Sequence, residues 1–277
     1  MIIGDYHVHS DFSSDSKTPM EEMIKKAIGL GLKKICFTDH MDYDFPVVTN
    51  YSFVFDIDKY VAKLKDLKER YQQQIDILTG IELGLQPHLT HRLNKLTTDY
   101  AFDFIIGSSH VVNQLDPYYP EYWEKTNKEE GLRKYFETII TNCKAFHNFH
   151  VYGHMDYIIR YVPERLYDAN DTSGKADYSY NDYRDLLDEA LKTIISSGKG
   201  IEINTSGLKY GLGYTHPKGE VIKRYKELGG EIITIGSDGH KPEHLAYDFF
   251  LVPQLLKAYG FSYYTLYKEG KPIFEKL

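Results

Sequence analysis

The sequence predicts an α/β fold, a distorted (β/α)7 barrel in a single domain, and three observations lead there. Seven short apolar runs alternate along the 277 residues with stretches whose apolar side chains recur at helical spacing, the pattern of a parallel sheet covered by helices. The runs are almost continuously apolar, as strands buried on both faces are. Nearly every run leaves through a polar segment, which suits a ring whose strand exits converge on one mouth better than an open doubly wound sheet. No Gly/Ser-rich or Pro-rich linker divides the units.

The opening "MIIGDYHVHS" is the first strand, with His7 and His9 at alternate positions. Thr18-Pro19-Met20-Glu21 then reads as an N-cap, a proline at the first helical position and a capping-box acid. Met20, Met23, Ile24, Ala27 and Ile28 continue that helix to Gly29 and Gly31. Residues 35–37 form the second strand, stopping at Thr38-Asp39-His40. Ile57, Tyr60, Val61, Leu64 and Leu67 mark a helix before a strand at 75–78, which exits through Gly80-Ile81-Glu82. A shorter helix around Leu93 and Leu96 precedes a strand at 102–106 that exits at Ser108-Ser109-His110. The stripe Leu132, Tyr135, Phe136, Ile139, Ile140 and Cys143 leads to Val151-Tyr152 and the exit Gly153-His154. Leu187, Ala190, Leu191 and Ile194 lead to a strand at 201–203, exiting at Asn204-Thr205-Ser206. Val221, Ile222 and Tyr225 lead to the last strand of the ring, 232–235, exiting at Ser237-Asp238-Gly239-His240. The ending alternates bulky residues around Lys268-Glu269-Gly270-Lys271, a terminal hairpin. Two long connections, one after His110 and one after Arg160, leave from the same mouth, where long loops serve as lids or binding loops.

Composition narrows the function. A net charge of −7, with no cluster of Lys and Arg, argues against a phosphate-backbone surface, so nucleic acid is not an expected partner. Cys36 and Cys143 lack the spacing of a thiolate metal site and read as reduced core thiols. No apolar run approaches the roughly 20 residues needed to span a bilayer, and no charged leader with an apolar segment opens the chain. The expectation is a cytoplasmic protein with no membrane partner.

The polar exits carry the chemistry. If the strands converge, His7, His9, Asp15, His40, Glu82, His110, His154, Asp238 and His240 face one cavity. Without metal, so many imidazoles and carboxylates would compete for few partners, at a desolvation cost of several kcal/mol. Alternate positions on a strand point His7 and His9 to one side. A His/Asp/Glu set without thiolate suits zinc, with manganese or iron possible, rather than calcium or magnesium. At roughly three or four ligands per ion, two or three ions fit, with Glu82 and Asp238 as bridging carboxylates.

His7-x-His9, Asp15, Thr38-Asp39-His40, Gly80-Ile81-Glu82, Ser109-His110, Gly153-His154 and Ser237-Asp238-Gly239-His240 resemble, in order and across essentially the whole chain, the motif set of the polymerase and histidinol phosphatase (PHP) superfamily. The segments "GHMDYIIRY" and "INTSGL" are similar to its monofunctional histidinol-phosphate phosphatases. The resemblance implies that residues 1–277 form one metallophosphatase domain with a trinuclear centre. One ion would take His7, His9, Glu82 and Asp238, a second Glu82, His110 and His154, and a third Asp15, His40 and His240. Some relatives carry histidine at the position of Asp15. Amidohydrolases also begin with His-x-His, but they bridge their metals with a modified lysine, and no lysine stands at these exits.

The resemblance implies hydrolysis of a small-molecule phosphomonoester, L-histidinol phosphate, in histidine biosynthesis. Another PHP-type phosphoesterase, such as a protein-tyrosine phosphatase, is the alternative. Glu82 and Asp238 would organise the metals that activate water and neutralise phosphoryl charge. Asp238 and His240 are candidates to protonate the leaving alkoxide. Arg160, six residues beyond His154, is the candidate phosphate clamp. For the amine and imidazole end, Asp42 and Tyr43 and the loop residues Asp116, Tyr118, Tyr119, Glu121, Tyr122 and Trp123 offer carboxylates and aromatic faces. His216 and Lys218 carry no assignment.

Overall fold

A computed structural model describes residues 1–46, 52–167 and 175–277. The chain runs through β1 (Gly4–Val8), α1 (Met20–Gly29), β2 (Lys34–Phe37), β3 (His40–Met41), α2 (Ile57–Tyr71), β4 (Asp76–Gly84) and α3 (Thr90–Asp99). It continues with β5 (Phe104–Ser108), α4 (Pro120–Trp123), α5 (Lys128–Ala145), β6 (Val151–Tyr152), α6 (Arg184–Ser196), β7 (Gly200–Asn204) and α7 (Ser206–Lys209). The last elements are α8 (Gly219–Glu227), β8 (Ile233–Gly236), α9 (Val252–Ala258), β9 (Tyr263–Lys268) and β10 (Lys271–Lys276).

Seven strands form the ring in the order β1-β2-β4-β5-β6-β7-β8, every pair parallel. The ring nearly closes through the loop that follows β8: Gly239 bridges Val8, accepting from the His9 amide at 3.0 Å and donating to the His7 carbonyl at 3.2 Å. Two irregularities distort it. The β1–β2 register slips between Asp5 and Val8. Short β3 pairs beside β2 on the long strand β4, setting His40 against Glu82. Because of that pairing, Glu82 lies inside β4, which runs on to Gly84, rather than in a loop after a strand ending at residue 78.

Apolar side chains between the sheet and its helices form the core, and the sequence periodicity chose them. Met20, Met23, Ile24 and Ala27 are the buried face of α1; Leu187, Ala190, Leu191 and Ile194 are buried on α6. The start of α1 departs from expectation. Thr18 does not cap it, because its hydroxyl donates to the His240 carbonyl at 3.1 Å. Nor does Glu21 close a capping box; its Oε1 accepts from Arg70 and from the Tyr71 hydroxyl, each at 2.8 Å. Both side chains found tertiary partners that outweigh a local cap worth about 1 kcal/mol. No helix among the described residues is long and apolar enough to cross a membrane.

The expected terminal hairpin is β9–β10. It docks through the Tyr6 hydroxyl, which donates to the Tyr267 carbonyl at 2.8 Å and accepts from the Tyr267 amide at 3.1 Å. His150 is packed beneath it, 4.7 Å from the Tyr267 ring centre, and its Nδ1 accepts from the Ile105 amide at 2.9 Å. Burial, helped by Lys199, lowers the His150 pKa to about 4. An unfolded histidine titrates near 6.5. The stability this neutral ring contributes is therefore complete above pH of about 6.5 and is lost as the pH falls toward 4. In His150→Asn the amide oxygen can take over the bond to Ile105 without titrating. Urea unfolding at pH 7.5 and pH 5 is expected to show a smaller loss of stability in this variant than in wild type; identical losses would assign the acid sensitivity elsewhere.

Candidate metal centre

Glu82 is wholly buried, and five imidazoles from four segments surround it. Its Oε2 lies 3.2 Å from His7 Nε2, 3.5 Å from His9 Nε2 and 3.0 Å from His40 Nδ1. Its Oε1 lies 2.9 Å from His154 Nε2 and 3.3 Å from His110 Nε2. Asp238 flanks this cluster, with Oδ1 3.4 Å from His9 Nε2 and 3.5 Å from His240 Nδ1. Asp15 stands at the edge with its side chain 36% exposed, 3.1 Å from His240 Nε2 and 3.7 Å from His40 Nε2.

Within this cluster, four groups each bring their ligand atoms within 4.8 Å of one another: His7/His9/Glu82, Glu82/His110/His154, His9/His40/His240 and His40/Asp42/His110. The first two contain ligands expected of two ions sharing Glu82. The third joins His40 and His240 through His9, with Asp15 outside it.

The donor chemistry fits a cation. His7 Nε2, His9 Nε2, His40 Nδ1, Glu82 Oε2 and His240 Nε2 are buried with no hydrogen-bond partner. Buried polar atoms are normally satisfied, and these are close together without hydrogen-bond geometry. Charge points the same way. Burial pushes the Glu82 carboxyl up, yet His7, His40 and His110 outweigh it and hold Glu82 well below the usual carboxylate range. Burial, with His240 and His40 nearby, holds His9 well below the usual imidazole range, which keeps its lone pair free.

An outer shell turns those lone pairs inward. His7 Nδ1 meets Glu202 Oε1 at 2.7 Å, and His110 Nδ1 meets Asp42 Oδ2 at 2.7 Å. Each carboxylate can only accept, so each Nδ1 carries a proton and each Nε2 is the nitrogen turned toward a cation. The Ser13 hydroxyl gives its one proton to Asp39 at 2.7 Å and so accepts from His9 Nδ1 at 3.1 Å, with the same result. Asp39 also accepts from the Ser10 amide and hydroxyl, and burial raises it to about 6. Asp5, likewise raised to about 6 by burial, accepts from the amide and hydroxyl of Ser237 at 3.0 and 2.5 Å and pins the loop that carries Asp238.

Beside the centre opens a cavity of about 520 Å³, lined among others by Arg160, Tyr161, Tyr210, Asp116, Tyr118 and Lys241. Arg160 donates to the Ser206 hydroxyl at 3.1 Å and the Tyr161 hydroxyl at 2.9 Å and lies 4.5 Å over the Tyr210 ring. Among the described residues no carboxylate comes within ion-pair distance of it. Asp42 reaches the cavity wall but commits Oδ2 to His110. Trp123 is not at the rim. It is 1% exposed, donates its indole N–H to the Pro117 carbonyl at 2.8 Å and packs as the floor of its loop, because the ring is worth more buried than wet. Tyr122 is buried next to it. His216 is held by Asp156 at 2.5 Å, and the Lys218 ammonium pairs with Asp177.

Glu202 is a residue that sequence reasoning passed over; Asp39 stood in the Thr38-Asp39-His40 motif and Asp5 in the opening strand, with no role given to either. Glu202 had a signal: a carboxylate inside the apolar strand Gly200-Ile201-Glu202-Ile203, where an unpaired charge is rarely buried.

Glu82 belongs to two of the ligand groups, so Glu82→Gln is expected to hold at least one ion fewer per chain than wild type after equilibration with zinc. Elemental analysis of the folded variant checks this; unchanged stoichiometry would deny Glu82 a shared role.

Residues 5–206 match the sequence profile of the PHP domain. A histidinol-phosphatase of Lactococcus lactis is 31% identical over 263 residues, 93% of this chain and 91% of the relative. A probable histidinol-phosphatase of Clostridium acetobutylicum is 33% identical over 258 residues, 90% of each chain. Among solved structures, histidinol phosphate phosphatase from Lactococcus lactis, complexed with zinc, L-histidinol and phosphate, matches with a TM-score of 0.85 at 28% identity, covering 98% of both chains. With the profile spanning most of its length and its ring of seven parallel strands shared with that enzyme, the chain belongs to the PHP domain family.

Proposed function

We propose that this protein is a zinc-dependent phosphomonoesterase that hydrolyses L-histidinol phosphate to L-histidinol and phosphate, a cytoplasmic step of histidine biosynthesis. One observation carries the reading: unpartnered ligand atoms gather round Glu82 beside a cavity that also holds a guanidinium with no carboxylate partner among the described residues. The relatives of known name support the substrate. The whole span 1–277 acts as one domain, since Asp238 and His240 lie beyond the profile's end at residue 206, and the ring closes through Gly239 between them.

His7, His9, Glu82 and Asp238 would hold one zinc, Glu82, His110 and His154 a second, and His40 and His240, with His9 or Asp15, a third. Bound zinc supplies positive charge against the phosphoryl oxygens and makes the attacking water more acidic. The protein's own groups do the rest. Arg160 takes phosphate oxygens in a charge-assisted fork. Asp238 and His240, the latter 20% exposed, stand on the open side of the centre, from which a proton can reach the leaving alkoxide. For the amine and imidazole, the cavity offers Asp116, raised to about 6 by burial, and the aromatic faces of Phe45, Phe53, Tyr118 and Tyr119. These remote contacts would position phosphorus over the centre.

Arg160→Ala is expected to lower kcat/KM for histidinol phosphate by roughly 2 to 4 kcal/mol in transition-state terms with zinc content unchanged. Wild-type kcat/KM would deny it the phosphate. Across substrates, histidinol phosphate should exceed phosphotyrosine in kcat/KM by at least about a hundredfold. Parity would make the protein a general metallophosphatase.

A further inference from the structure

Glu202 is a buried anion on β7 that no positively charged lysine or arginine approaches within ion-pair distance among the described residues. Its bonds to His7 and His154 lead toward the centre. Oε1 accepts from His7 Nδ1 at 2.7 Å; Oε2 accepts from the His154 amide at 3.0 Å and from Asn204 Nδ2 at 3.2 Å. His7 and His154 in turn grip opposite oxygens of Glu82, His7 at Oε2 and His154 at Oε1. One carboxylate thus fixes the ring of a ligand from β1 and the backbone of a ligand beyond β6, and these two flank the two sides of Glu82. The fold makes room for it. A Cβ on residue 236 would come within 2.3 Å of both Glu202 Oε1 and His7 Cβ, and only glycine leaves that gap.

Resting on the zinc reading above, we infer that Glu202 is a positioning residue. It selects the His7 tautomer that can bind metal, and it sets the spacing of the two metal positions that Glu82 shares.

Glutamine at this position has a single acceptor oxygen. If that oxygen serves the His154 amide, the NH2 group faces His7 Nδ1. The proton then moves to Nε2, and the ring can no longer ligate through it. The opposite flip sets the NH2 group against the His154 amide and loosens the second ligand. Either outcome weakens metal binding while the volume of the side chain is conserved.

The test is zinc titration of full-length Glu202→Gln beside wild type, read as ions per chain and as apparent zinc affinity. Circular dichroism and the melting temperature of the metal-free proteins report folding. Expected are a metal-free fold like wild type's, about 10- to 100-fold weaker zinc binding and the loss of an ion that wild type retains. Wild-type stoichiometry and affinity in the variant would overturn the inference. A second measurement needs no variant. In zinc-loaded wild type labelled with ring-15N histidine, His7 is expected to carry its proton on Nδ1, and a proton on Nε2 would overturn the inference. Wild-type protein that takes up no zinc would overturn this inference and the zinc reading together.

Discussion

Everything at the mouth of this barrel is organised around one buried negative charge. Glu82 sits in the middle of β4, out of water, where an isolated carboxylate would cost several kcal/mol or take up a proton. Among the described residues no lysine or arginine approaches it; five imidazoles do. Imidazoles are neutral at physiological pH unless something raises their affinity for protons. Here the surrounding carboxylates, Glu82 among them, raise that affinity in His7, His40 and His110, so protons balance the buried anion in the metal-free protein and divalent cations would take their place. The same logic explains why β4 is the longest strand of the ring. It must pair with β2 at its start and with β3 and β5 at its end to carry Glu82 past the rim and into the midst of its neighbours.

The seam where the barrel closes is the second constraint, because ring closure and ligand placement use the same residues. Gly239 bonds the backbone of His7 and His9, and so sets the two ends of the ligand sequence side by side. Asp238 takes a positive φ of 54°, uncommon for a residue with a side chain, and the Lys209 ammonium holds its carbonyl at 2.9 Å. Ser16 and Thr18 grip the His240 carbonyl, and Asp5 grips Ser237 and Ala246. An opening of this seam would separate His7 and His9 from Asp238 and His240, so loss of the fold at this point and loss of the centre would be one event.

The seven strands were legible in the sequence because strands buried on both faces are written as short apolar runs, and the polar exits were legible because they interrupt those runs. Even so, Glu82 was read as an exit and is a strand residue, since the pairing of β3 with β4 leaves no trace in local composition. Glu202 went unread for the opposite reason: a single acid between two isoleucines resembles the ordinary alternation of a half-exposed strand. Thr18 and Glu21 matched a capping box in letters, yet long-range partners claimed both side chains. Trp123 and Tyr122 matched a binding loop in position, yet burial claimed their rings. In each case the local rule was sound and a tertiary contact of greater worth overrode it, which no single-sequence pattern can register.

Arg160 shows how the cavity keeps a charge available. A guanidinium taken out of water normally recovers its solvation from a carboxylate, and such a pair would present no net charge to an incoming anion. Here the compensation comes from hydroxyl oxygens of Ser206 and Tyr161 and from the ring faces of Tyr210, Tyr161 and Tyr157 at 4.5, 5.2 and 5.7 Å. Lone pairs and ring quadrupoles stabilise a cation without neutralising it, so its full charge still faces the cavity. The carboxylates are concentrated elsewhere, on the imidazole cluster, where they raise affinity for divalent metal. One cavity thus holds an anionic cluster suited to cations and a cation suited to anions, and packed tyrosines around the second keep the two from cancelling.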